Sequence, residues 1–100
     1  MTKYVLAYKG GSIPQSEEEQ QRVMAAWGEW FQKLGESVVD IGNPFGPSAV
    51  VGGNGAATSG LTGYSIINAS NLDDAKKKAS SCPILDGGKG TVEVYETLEM

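Results

Sequence analysis

The sequence predicts an α+β fold in one domain over residues 1–100. Two segments with helical apolar spacing are set among short runs of alternating apolar residues. Both helices carry a start signal, and Gly or Pro clusters separate the segments. Residues 3–9 read as the first strand, with Tyr4, Leu6 and Tyr8 on one face and Val5 and Ala7 on the other. Gly10-Gly11 and Pro14 end it. Ser16 and Glu19 form an S-x-x-E capping box, and Glu17, Glu18 and Glu19 suit the positive end of a helix dipole. Val23, Trp27, Phe31 and Leu34 then make a helical stripe, flanked by Ala26 and Trp30 and stopped at Gly35.

Val38 to Ile41 read as a second strand, followed by the turn-rich run Gly42 to Ser48. Ala49-Val50-Val51 are read as a short returning strand, Gly52 to Gly55 as a turn, and residues 63–69 as another strand. Ser70 or Asn71 caps a second helix, with Asp73 and Asp74 in its first turn and Leu72, Ala75 and Ala79 as its buried stripe. Lys76, Lys77 and Lys78 are expected in solvent, and Cys82-Pro83 to end the helix. A Gly-rich loop from Asp86 to Gly90 leads to a last strand over residues 91–98, with Val92, Val94 and Leu98 on one face. The order β-α-β-(β)-β-α-β gives a ferredoxin-like sandwich with a mainly antiparallel sheet. Two helices cover only one face of such a sheet. The strands carrying Tyr4 to Tyr8 and Tyr64 to Ala69 are apolar on both faces, so the open face is expected to pair with a second copy, as a homodimer.

Composition removes several classes of function. The chain has no histidine, one cysteine and a net charge of −4. Without imidazole there is no His-based triad, no His-rich zinc site and no imidazole acid/base. No metal site or cofactor is expected. A lone cysteine forms no internal disulfide. The acidic balance argues against nucleic acid, because Lys76-Lys77-Lys78 is the one basic run and Asp73 and Asp74 precede it. No stretch approaches the roughly 18 apolar residues of a membrane span, and the N-terminal apolar run is broken by Lys9. A cytoplasmic protein with no membrane partner is expected.

Among motifs, Asp40 before the Gly42–Ser48 turn is the most suggestive. It reads either as a partly buried acid or base or as a carboxylate that binds turn N–H groups and fixes the Asn43-Pro44 corner. Trp27 and Trp30 read as core packing or as walls of a ligand pocket beside Asp40. Tyr8, Tyr64 and Tyr95 are candidates to point into a cavity, or are ordinary strand tyrosines. Gly52 to Gly60 departs from G-x-G-x-x-G at Thr58. Gly88-Lys89-Gly90-Thr91 lacks the first glycine of a phosphate loop and precedes a strand. Cys82 has no base beside it and reads as a buried structural thiol.

The chain resembles the YCII-related domain family, including its DGPF branch. The resemblance rests on Lys3-Tyr4-Val5-Leu6-Ala7-Tyr8, the helix end from Trp27 to Gly35, and Val39-Asp40-Ile41-Gly42. It continues through Gly63-Tyr64-Ser65-Ile66-Ile67, Asn71-Leu72-Asp73-Asp74-Ala75 and Gly90-Thr91-Val92-Glu93-Val94-Tyr95. It implies a dimeric α+β barrel. In some members a histidine on the first helix and an aspartate near the following turn are proposed as an acid/base pair, and one relative removes chloride from a chlorinated aromatic. Asp40 takes the place of that aspartate. The histidine position falls at or near Trp27, so the pair does not exist in this chain. The first functional reading is therefore a homodimer that binds a small molecule. Trp27, Trp30 and Tyr64 would wall its pocket, and Asp40, Asn43 and Ser48 would supply polar contacts. The others are a small lyase or isomerase using Asp40 as base, and a non-catalytic accessory subunit.

Overall fold

The computed structural model describes residues 2–11 and 15–99. Pro14, expected to help end the first strand, lies outside them. Four strands, β1 (Thr2–Gly10), β2 (Val38–Asp40), β3 (Leu61–Ala69) and β4 (Gly90–Glu96), form one sheet in the order β2-β3-β1-β4. Every neighbouring pair is antiparallel. Helices α1 (Glu17–Leu34) and α2 (Leu72–Ala79) complete the ferredoxin-like α+β architecture. A 3-10 segment comes after each helix, at Gly35–Ser37 and Pro83–Gly88.

The helix starts follow their caps. Ser16 Oγ accepts the Glu19 N–H at 3.1 Å. Glu19 reaches back to the N–H of Gln15, one residue before the cap, at 3.0 Å. Of the two candidates for the second cap, Asn71 takes the role: its Oδ1 accepts the Asp74 N–H at 2.8 Å. The core lies between the helices and one sheet face. It joins Tyr4, Leu6 and Tyr8 to Ile67, Ala69, Trp30, Ala75, Ala79 and Cys82.

Several expectations are corrected. Ala49–Val51 form no strand, and Val51 is fully exposed. The edge of β3 beyond β2 is already occupied, because Pro44 bridges Gly63 and the Phe45 N–H donates to Thr62 O at 2.9 Å. α2 stops at Ala79, short of Cys82-Pro83, and Leu72 is half exposed instead of buried. Lys78 does not simply face solvent: its Nζ bridges Asp74 Oδ2 at 3.1 Å and Asn68 O at 3.2 Å. β4 ends at Glu96 and leaves Leu98 exposed, although the Thr97 N–H still donates to Lys3 O at 3.1 Å. β3 begins two residues earlier than expected, at Leu61.

Candidate functional site

α1 meets the sheet tightly only along its C-terminal half. Trp30 is buried, and its Nε1–H donates to Ser81 Oγ at 3.1 Å and to Lys78 O at 3.3 Å. It pins α1 to the end of α2. Two turns earlier the side chains of the same helix no longer reach the core. Val23 and Met24, 37% and 66% exposed, overhang a gap instead of filling it. That gap is a cleft of about 560 Å³ whose walls include Tyr8, Val23, Trp27, Phe31 and Ile41, with Asn43 near the corner. Trp27 anchors the wall: its ring meets the edge of Tyr8 at 5.1 Å and lies 5.9 Å from Phe31.

The lining is mostly apolar, with a few placed polar groups. Tyr8 Oη donates to Ser65 Oγ at 2.7 Å, and Ser65 Oγ donates to Ile41 O at 2.7 Å. Ser65 is fully buried and Tyr8 nearly so. Burial pushes the Tyr8 phenol well above its ordinary pKa, so it stays protonated. A register shift after Tyr8 carries Thr62 to the mouth, where its Oγ1 donates to Tyr8 O at 3.3 Å. A second hollow of about 630 Å³ adjoins the first through Val23, Trp27 and Ile84, and brings in Glu19, Arg22 and Asp86.

The residues singled out from the sequence divide between the two sides of the sheet. Tyr8, Trp27 and Asn43 line the cleft. Trp30 is packed behind Trp27 in the core and does not line it. Tyr64 alternates with the buried Gly63 and Ser65 and so points to the face away from the helices. Asp40 goes with it. Val38 pairs with Ile67 but Asp40 pairs with Ile66, so Val39 and Asp40 together oppose one residue. This bulge reverses the side on which Asp40 emerges. Its Oδ1 accepts the Gly42 N–H at 2.8 Å and its Oδ2 accepts the Tyr64 hydroxyl at 3.4 Å. Phe45 stacks on Tyr64 at 5.8 Å. Ser48 is exposed in the loop beyond and is not part of the cleft.

Sequence reasoning missed Phe31 and Ser65 as cleft residues. Both carry a signal. Phe31 stands four residues after Trp27 on the same helix stripe, and Ser65 is a hydroxyl at an inward position between Gly63 and Ile67. Cys82 is buried, and burial pushes its thiol up to about 11, which fits a structural role. Among the described residues, no three His, Cys, Asp or Glu side chains come together to hold a metal, and no helix is long and apolar enough to cross a membrane.

A solved structure is similar in fold: 5-chloro-2-hydroxyhydroquinone dehydrochlorinase (TftG) from Burkholderia phenoliruptrix AC1100, in complex with 2,5-dihydroxybenzoquinone. The match has a TM-score of 0.62 at 17% identity and covers 98% of this chain and 95% of that one. No curated protein matches the sequence. The model of the YCII-related domain matches residues 2–100, essentially the whole chain. The protein belongs to the YCII-related domain family.

Proposed function

We propose that the protein binds a small aromatic molecule in the cleft between α1 and the sheet. One observation carries the reading: an apolar space of about 560 Å³, walled by three aromatic side chains, with a buried hydroxyl pair on one side. Ligand sites are typically of this size and composition. The similar fold solved with a dihydroxybenzoquinone supports a planar six-membered ring as the kind of ligand. Within this chain the reading is one of binding without imidazole chemistry, since there is no histidine and the Tyr8 phenol is held neutral. Asp40 serves the turn on the far side of the sheet and is a structural residue here. A thermal-shift series with chlorinated and hydroxylated benzenes tests the cleft. A ligand that binds only the native state, at 100 times its Kd, adds about 2.7 kcal/mol of stability. Trp27→Ala is expected to lose at least about tenfold in affinity, while Asp40→Asn leaves it within about twofold. No shift with any ring, or full retention by Trp27→Ala, would end the proposal.

The same reading pairs two copies through the helix-free face of the sheet. Val5, Ile66 and Tyr95 form one cross-strand row there, and Ala7, Tyr64 and Glu93 the next. Tyr95 is 53% exposed. An apolar centre of this kind is what a stable interface buries. A single free cysteine accords with the reducing cytoplasm.

A further inference from the structure

We infer that the floor of the cleft selects its ligand by hydrogen-bond polarity, accepting a ring that donates a proton and disfavouring one that presents only acceptors. This rests on the cleft being the binding site, and it specifies the class of molecule bound there. Each hydroxyl in the floor has one proton to give. Ile41 contributes a carbonyl oxygen, which only accepts. The 2.7 Å contact between Ser65 Oγ and Ile41 O therefore commits the serine proton to Ile41. Ser65 then has only lone pairs left for Tyr8, so the 2.7 Å contact between them commits the Tyr8 proton to Ser65. The carbonyl at one end fixes the direction of the whole chain.

What remains for a ligand is a lone pair on Tyr8 Oη. Ionisation does not undo this, because burial keeps the phenol protonated at neutral pH. Of the surrounding wall, Val23, Met24, Phe31 and Ile84 have no side-chain donor to compensate, and Trp27 has one. Trp27 Nε1–H belongs to the wall, and Thr62 and Asn43 stand with the strand end and the corner, so acceptors on a ligand would have to be met there. A bound ring thus directs an O–H or N–H at Tyr8. A ring with a carbonyl or ether oxygen there faces lone pair against lone pair, a mismatch that buried sites penalise heavily.

Three rings of similar size test this by protein-observed NMR titration: indole as donor, benzofuran as its donor-free analogue, and 1-indanone as carbonyl acceptor. The native protein is expected to bind indole about tenfold or more tightly than either of the others. Ser65→Ala frees the Tyr8 proton, so 1-indanone gains about fivefold and the preference collapses. Tyr8→Phe removes the acceptor and brings indole down to the level of benzofuran, which gives a second route should Ser65→Ala fail to fold. Equal affinity for all three rings in the native protein overturns the polarity inference and leaves the cleft as a binding site. Absence of binding by any of them overturns both.

Discussion

A methyl group built on Gly42 would sit 1.7 Å from the carbonyl oxygen of Tyr64, and the backbone there has φ +75°. Both the close approach and the left-handed conformation exclude a side chain. Gly42 lets the chain turn off the sheet edge immediately after Asp40, whose carboxylate takes the Gly42 N–H. The neighbouring Ile41 carbonyl is thereby delivered to Ser65. A half-buried glycine at the sheet edge thus fixes a buried hydroxyl pair. Gly42→Ala is expected to cost about 3 kcal/mol or more, read as a lowered midpoint in urea unfolding. A loss under about 1 kcal/mol would show that the edge turn is free to rearrange.

At the level of elements, the start of α2 is tied by several hydrogen bonds. Asp74 Oδ2 accepts the Ser70 N–H at 3.0 Å and the Lys78 ammonium at 3.1 Å. The backbone N–H first, and then Lys78, hold its carboxyl below the usual 3.8. The folded state thus binds this proton less readily than the unfolded chain does. The stabilisation from Asp74 is complete above its ordinary pKa and disappears as pH falls through the lower native value. Acid unfolding followed by circular dichroism is expected to be shallower at its low-pH limb in Asp74→Asn. A limb identical to that of the native protein would count against this contribution.

The elements themselves were largely legible in the sequence. The Ser16 and Asn71 caps, the Val23–Leu34 stripe and the alternation of β1 are local signals, and local signals survive folding. The face on which Asp40 emerges was not legible. Simple alternation places Asp40 on the same side as Val38, toward the cleft. The bulge that reverses it depends on how β2 meets β3, twenty-some residues away in sequence. The missing strand at Ala49–Val51 has the same origin: its residues suit a strand, but Pro44 and Phe45 had already filled the edge of β3 beyond β2.

For the molecule as a whole, the sheet has a helix-covered face and a bare one, and the proposed pairing uses the bare one. Light scattering at micromolar concentration is expected to give twice the 10.5 kDa chain mass. Ile66→Glu, in the middle of the bare face, is expected to shift the protein to monomer while leaving affinity in the cleft within about twofold. A native protein of monomeric mass would remove the proposed pairing.

The long connection between β2 and β3 has a consequence for divergence. Every residue from Asn43 to Gly60 is exposed, so almost any of them can change at little cost to the core. The first of these, Asn43 and Pro44, also frame the entrance to the cleft. The part of the molecule freest to change in sequence is therefore also the part that frames the cleft. A substitution there can reshape the opening without rebuilding the sheet behind it.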